Sequence, residues 1–309
     1  MSATTVSRKP RQRVGDRVFS NLTRLAGLLI LVALAGVAIF LTTEGLPALS
    51  APADKLGGAS NLLAYVAPLV FGTLLAAVLA LAIATPLALG VALVISHYAP
   101  RRLARPLGYL VDLLAAVPSV VYGLWGLAFL SVKLTPLYAW LEAHLGWIPL
   151  FAGPASTTGR TILTASIVLA IMTLPIITAI TREIFLQTPV LNQEAALALG
   201  ATRWEMIRLA VLPYARSGIV SAVMLGLGRA LGETMAVAMV LSASGVVSLN
   251  LISNTNPSTI AANIALKFPD STGLSVNALI ASGLVLFVIT FVVNFAARSI
   301  VSRGERRMA

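Results

Sequence analysis

Residues 194–213 read EAALALGATRWEMIRLAVLP, a segment of mixed polarity between two long apolar runs. Asn192 is placed to cap the start of a short helix, and Gly200 is placed to end it. Thr202 and Glu205 follow with the T-x-x-E spacing of a capping box, which predicts a second helix. The segment therefore predicts a helix–turn–helix between two apolar segments.

The chain around this segment is far more apolar than a soluble protein. Of its 309 residues, 58% are hydrophobic and 11% are charged, and the mean hydropathy is +0.92. A soluble domain is about 25% charged, so the expected solvent for this chain is lipid. Runs of about 20 apolar residues can cross a bilayer as helices. Six such runs are found, at 22–41, 66–95, 107–130, 161–181, 217–241 and 277–297. The sequence thus predicts an all-α integral membrane protein with six transmembrane helices.

Basic residues alternate between the two sides of these six runs. The segment through Arg24, the loop 96–106, the segment 182–216 and the segment from Arg298 hold 17 of the 22 lysine and arginine residues. The opposite loops hold four. Because lysine and arginine favour cytoplasmic loops, both termini and the helix–turn–helix are predicted to lie in the cytoplasm. Nucleic acid is not an expected partner, because the cations lie at the ends of apolar runs rather than on a folded polar face.

This arrangement divides the chain into four parts. They are a basic cytoplasmic tail (1–21), a first transmembrane helix with an outer linker (22–65), a permease-like core of five transmembrane helices (66–297) and a second basic cytoplasmic tail (298–309). The first apolar run is longer than the apolar region of a signal peptide, so a retained anchor is favoured over a cleaved one. The outer loop 131–160 is expected to form a short amphipathic or re-entrant piece at the interface, with Trp140 and Trp147 as anchors.

The helix–turn–helix resembles the EAA loop of ABC importer permeases, whose consensus is EAA-x3-G-x9-I-x-LP. The chain departs from that consensus once, with Ala210 in the isoleucine position. Pro213 is expected to end the second helix or to bend it toward the next apolar run. The resemblance implies that the first short helix docks in a cleft of an ATPase subunit. The matching residues are Glu194, Ala195, Ala196, Gly200, Leu212 and Pro213.

A second unusual stretch, LGLGRALGETMAV at 225–237, places Arg229 and Glu233 inside an apolar run. A charge at that depth costs on the order of 3 kcal/mol on insertion scales, so it calls for an explanation. At four residues' separation the two side chains are expected on one helical face. Either the pair neutralises itself and pins two helices together, or Arg229 presents a cation to a passing anion while Glu233 holds it when the path is empty. Arginine's planar donors suit tetrahedral oxyanions, which favours the second interpretation.

The same stretch, GLGRALGETMAV, resembles the signature of PstC-type permeases of bacterial phosphate-specific ABC importers. DLLAAVPSVVYGLWGL at 112–127 resembles the same family, and the likeness extends over about 66–297. It implies a type I ABC importer permease fold in the bacterial inner membrane. It also implies that Arg229 and Glu233 belong to the phosphate path. The implied partners are phosphate, a sister permease (PstA-type), an ATPase dimer (PstB-type) and an external phosphate-binding protein (PstS-type), all working at the lipid bilayer.

Other function classes remain open at this point. The chain has no G-x-x-x-x-G-K-[ST] motif, so ATP and Mg²⁺ are expected on a partner subunit and no cofactor on this chain. A single Arg/Glu pair without a nucleophile or metal set does not make an enzyme. The alternatives are an ABC permease for sulfate or molybdate, an ion-coupled secondary transporter, and a phosphate-sensing membrane scaffold. Asp112 is expected to snorkel or to pair with an inner-face arginine.

Overall fold

The computed structural model of the chain describes residues 14–306, and this part is almost entirely helical. The α-helices are α1 Val14–Gly45, α2 Leu62–Leu93, α3 Arg101–Ala115, α4 Ser119–Trp125, α5 Ser131–Leu145, α6 Ile162–Leu186, α7 Val190–Ala198, α8 Arg203–Met206, α9 Leu212–Gly232, α10 Met235–Val240, α11 Ile260–Lys267 and α12 Leu274–Arg306. Three π-helical turns extend or join them, at Val94–Tyr98, Gly126–Leu130 and Ile207–Val211.

Six continuous helical stretches in the described residues are long and apolar enough to cross a membrane. They are Gly15–Ser50, Leu62–Tyr98, Ser119–Leu145, Ile162–Leu186, Arg203–Gly232 and Leu274–Ser299. The predicted number of spans is therefore confirmed. Helix α1 already begins at Val14, inside the expected tail 1–21, and α12 runs on to Arg306, inside the expected tail 298–309. The rest of the two predicted tails, 1–13 and 307–309, lies outside the described residues.

The core is built around α6, the most buried of the spans. Its most extensive packing is against α2, followed by α9. Helix α2 meets it with a stripe of alanines at four-residue spacing, all of them buried: Ala76, Ala80, Ala84 and Ala88. Side chains this small let two helices approach closely, which is how helices associate in lipid without a hydrophobic driving force. Helix α1 lies outside this core and packs along α12.

The third span differs from the predicted run 107–130. Helix α3 ends at Ala115, and a new helix begins at Ser119 and continues through a π turn into α5 as far as Leu145. Pro118 causes the break, because it has no N–H to donate and its ring keeps the preceding residue out of the helical region. The prediction of a separate interfacial piece at 131–160 is therefore wrong for its first half, which belongs to the span. Helix α3 instead precedes the span and packs against α6.

Candidate functional site

The first part of the site is the coupling loop, defined as residues 190–213. Helix α7 ends in the arrangement that Gly200 predicted: Ala201 N donates to Ala196 O at 3.2 Å, and Gly200 N donates to Leu197 O at 3.0 Å. These two bonds form a Schellman motif, which requires a left-handed residue after the helix. Gly200 has φ of +87°, so glycine is needed here for its backbone conformation. Its role as the turn between the two short helices is confirmed.

The second helix of the loop starts with the predicted capping box. Thr202 Oγ1 accepts from Glu205 N at 3.3 Å, and Glu205 Oε2 accepts from Thr202 N at 2.7 Å. Two other predictions for the loop need correction. Helix α7 begins at Val190 after Pro189, so Asn192 lies inside it rather than capping it. Of the two expectations for Pro213, an end of the second helix is wrong, because α8 continues through a π turn into α9. The bend stays a prediction.

The coupling loop is attached firmly to the spans. Ala196 of α7 packs against a small buried cluster to which three helices contribute. The cluster consists of Ala92 from α2, Phe185 from α6, and Met206, Ile207, Val211 and Ala215 from the α8–α9 helix. Gln193 Nε2 also donates to Thr188 O at 3.1 Å, which ties α7 to the end of α6. A force on α7 is therefore transmitted through close packing to three spans at once.

The surface of the coupling loop is apolar and largely exposed. Leu199 is 90% exposed, and Val190, Leu191 and Leu209 are exposed as well. A cleft of about 1110 Å³ lies between α7 and the α8–α9 helix. Its lining includes Ala195, Ala196, Gly200, Ala210 and Pro213. Contiguous exposed apolar surface of this kind marks an interaction site. Glu194, at the start of the motif, is exposed beside it.

The second part of the site is the Arg229 groove, a cavity of about 690 Å³ between α9 and α12 with a contribution from α6. Its polar lining consists of Ser221 and Arg229 from α9 and Asn294 and Arg298 from α12. The Nε atom of Arg229 is buried and has no hydrogen-bond partner in the described part of the chain. Among the side chains that the structure describes, at 15–100 and 102–299, two ion pairs are found, and neither includes Arg229. The groove thus holds a guanidinium whose charge is not compensated by a carboxylate.

Glu233 does not lie on the helical face of Arg229, and this expectation is wrong. Helix α9 ends at Gly232, and Glu233 has extended backbone torsions (φ −68°, ψ 127°). Its side chain is 8% exposed and accepts from Ala236 N at 3.1 Å, in the first turn of α10. The free N–H groups at the start of a helix are good partners for a carboxylate. The carboxylate is therefore bonded to α10 and not to Arg229.

Helix α10 is held at its other end by Arg160, which sequence reasoning counted only as an outer-loop cation. Arg160 Nη2 donates to Met239 O at 3.2 Å and to Leu241 O at 3.5 Å. These carbonyls belong to the end of α10, where helix carbonyls lack partners. The sequence separation of 79 between Arg160 and Met239 hides this pairing from the sequence. A six-residue helix is thus bounded by a carboxylate at its start and a guanidinium at its end.

Gly123 of α4 and Gly126 of the π turn that follows it seat α10 in the protein. A Cβ on Gly123 would lie 2.8 Å from Ala236 Cα, and one on Gly126 would lie 2.9 Å from Val240 Cγ2. At Gly123 only hydrogen allows the observed approach of the two helices, because the added Cβ would meet backbone. Arg182 pairs with Asp112 at 3.6 Å, which confirms the expected pairing of Asp112 with an arginine.

Comparison with known proteins identifies the family. Residues 84–308 match the family described as "Binding-protein-dependent transport system inner membrane component". The chain is 47% identical over 308 residues to the phosphate transport system permease protein PstC 2 of Mycobacterium tuberculosis, covering 96% of this chain and 94% of the relative. It is 40% identical over 304 residues to the PstC protein of Mesorhizobium japonicum, with coverages of 94% and 91%. The chain belongs to the PstC family of binding-protein-dependent permeases. It is accordingly a membrane transport component rather than a catalytic enzyme.

Solved structures show the same fold. A bacterial ABC transporter involved in the import of the acidic polysaccharide alginate matches with a TM-score of 0.52 at 19% identity, over 93% of this chain and 99% of that one. The MetNI methionine ABC transporter matches with a TM-score of 0.52 at 16% identity, over 77% and 94%. At these identities the likeness concerns the fold alone. It confirms the expected fold of an ABC importer permease.

Proposed function

We propose that the chain is the permease subunit of an ATP-driven importer of inorganic phosphate. Its PstC relatives are named as phosphate transport permeases, and they cover almost its whole length. The observation that carries the proposal is the uncompensated guanidinium of Arg229 in the groove between α9 and α12. An ion pair with Glu233 would have neutralised the charge of Arg229, but the Glu233 carboxylate is bonded to α10 instead.

The groove suits a tetrahedral oxyanion. A partly desolvated arginine lacks the hydration it has in water, and an oxyanion restores that loss through charge-assisted hydrogen bonds. Ser221 and Asn294 offer further polar groups in the same lining, and Arg298 adds a second cation. We place phosphate between Arg229 and these groups during its passage. Arg229 thereby offsets the desolvation of an anion inside the bilayer, and the chain performs no covalent chemistry.

A sister permease of PstA type completes the path. A Cβ on Gly228 or on Gly232 would meet nothing within 4 Å, so the GxxxG face of α9 is not packed by the described part of this chain. Small residues at this spacing let a second helix come close. We therefore place the sister permease along α9, with the phosphate path between the two subunits.

ATP drives the cycle through the coupling loop. We propose that an ATPase dimer of PstB type, which binds ATP and Mg²⁺, takes the exposed surface around Glu194, Ala195 and Leu199. Because α8 continues into α9, rotation of α7 moves the helix that carries Arg229. Phosphate arrives on the outer side from a binding protein of PstS type, and both termini lie in the cytoplasm of a bacterium, as the distribution of basic residues indicates. ATP and phosphate can shift the permease between two conformations only if each makes different contacts in the two conformations.

Radiolabelled phosphate uptake tests this function. Bacteria without their own high-affinity phosphate transporter would express the chain with its operon partners, and uptake would be measured at micromolar phosphate. The proposal predicts uptake that requires ATP and resists competition by sulfate and molybdate. Competition by either anion at equal concentration would indicate that the cargo is another oxyanion. Uptake that follows an ion gradient after ATP depletion would support a secondary transporter instead.

A further inference from the structure

A second polar cavity, here named the Lys267 pocket, lies on the side of the chain opposite the coupling loop. It has a volume of about 530 Å³ and is formed by the linker after α1, the start of α2, the segment after α10, and α11. None of its lining residues belongs to the Arg229 groove. The lining contains one charged residue, Lys267, and no carboxylate. The pocket is therefore positively charged.

One hydroxyl of the pocket wall, that of Tyr65, is available as a donor. The hydroxyls of Ser244 and Ser258 donate to backbone carbonyl oxygens instead. Asn263 Nδ2 donates to the Tyr65 hydroxyl oxygen at 2.8 Å, so the phenol accepts there and its own O–H remains available to donate. Asn263 and Ser258 are buried in the wall, each 5% exposed. Their positions are fixed by the packing around them rather than by solvent. A wall that combines the phenol donor of Tyr65 with a cation is suited to an anion.

Lys267 lines this pocket. Its ammonium group is 5.2 Å from the centroid of the Tyr65 ring and 3.8 Å from the position that a Cβ on Gly57 would take. Neither of the two ion pairs found among the described side chains includes Lys267, whereas Lys55 pairs with Asp54. Partial burial lowers the pKa of Lys267, since the ammonium loses hydration without gaining a carboxylate. A contact with the ring face compensates for this only in part.

We propose that the Lys267 pocket binds an inorganic oxyanion, with phosphate as its ligand, on the outer side of the permease. The proposal rests on the proposed function, because phosphate is the expected cargo and the outer side is its expected entry. Lys267 supplies the charge and the Tyr65 hydroxyl donates a hydrogen bond to the bound anion. The concave shape favours a small ion over the flat surface that a docked protein needs. The pocket thus provides a first holding site, separate from the Arg229 groove.

Lysine acetylation tests the site directly, because the chain has only four lysines. The full transporter in right-side-out membrane vesicles, without external binding protein, would be treated with an amine-acetylating reagent and analysed by mass spectrometry. Inorganic phosphate would be compared with chloride at equal ionic strength. At ten times its dissociation constant, phosphate should slow acetylation of Lys267 about tenfold, because only the free site reacts. Lys55 and Lys133 are internal controls and should react at unchanged rates.

A conservative variant distinguishes phosphate bound in the Lys267 pocket from nonspecific electrostatic screening of all lysines. Tyr65→Phe keeps the ring under the ammonium and removes the hydroxyl, so it should raise the phosphate concentration needed for protection several-fold. Equal slowing of all three lysines, or none at about 10 mM phosphate, where even millimolar affinity gives protection, would overturn the proposal. Protection by phosphate-free binding protein and not by phosphate would also overturn it, in favour of a docking surface. A wild-type transporter that takes up phosphate without this protection refutes the pocket alone, whereas absence of wild-type uptake refutes the proposed function.

Discussion

Gly123→Ala should displace α10 and slow transport, because α4 and α10 touch at this residue. The added Cβ would lie 2.8 Å from Ala236 Cα and 3.1 Å from Met239 Sδ. Carbon atoms prefer separations of about 3.5–4.0 Å, so the two helices must move apart by about 1 Å. Overpacking of this kind costs about 1–3 kcal/mol. Because Glu233 is bonded to the first turn of α10, the shift also moves the residue at the end of α9, and we expect a fall in uptake on the order of tenfold.

Gly90→Ala is the matched control for this substitution. Gly90 also lies inside a helix, but a Cβ there would meet nothing within 4 Å. Both variants gain the same helix propensity, up to about 1 kcal/mol, so the difference between them isolates the overpacking. Unfolding of the two purified variants in mixed micelles should give free energies that differ by about 1–3 kcal/mol, with Gly123→Ala the less stable. Equal stability together with equal uptake would refute the account of how α10 is seated.

Three further substitutions test the site. Gly200→Val should reduce co-purification of the ATPase, because a β-branched residue resists φ of +87°, whereas Gly200→Asn should retain more of it; full co-purification with valine would count against the coupling loop. Arg160→Gln should lower the free energy of unfolding by about 1–3 kcal/mol, through loss of the bonds to the end of α10, and an unchanged value would show that these bonds are dispensable. Glu233→Ala should cost a similar amount, because Ala236 N loses its acceptor, while Glu233→Gln should stay close to wild type in stability since its carbonyl oxygen still accepts.

Local sequence rules predicted much of the fold and of the coupling loop. Hydropathy is set by composition over about 20 residues, so the six spans could be read directly. The capping box at Thr202 and the turn at Gly200 depend on neighbouring residues only, and both appear as expected. Asn192 failed as a cap because Pro189, three residues earlier, already lets the helix begin at Val190.

The features that could not be predicted from the sequence depend on partners that are distant in the chain. The end of α9 at Gly232 makes sense only once α10 packs on α4 and offers Glu233 a free N–H. The pairing of Arg160 with the end of α10 joins segments far apart in the chain. Pro118 lies inside the predicted run 107–130, but it ends a helix there, and the third span extends to Leu145. The roles of Arg229 and Glu233 in transport stay predictions.

Phosphate uptake by Arg229→Gln tests the central claim most directly. Arg216→Gln is the matched control, since Arg216 lies on the same helix, is exposed, and does not line the groove. Both variants should assemble with their partner subunits, and assembly would be checked by co-purification. We predict that Arg229→Gln abolishes ATP-dependent uptake of phosphate while Arg216→Gln retains it. Wild-type uptake rates in an assembled Arg229→Gln transporter would contradict the claim that phosphate passes Arg229.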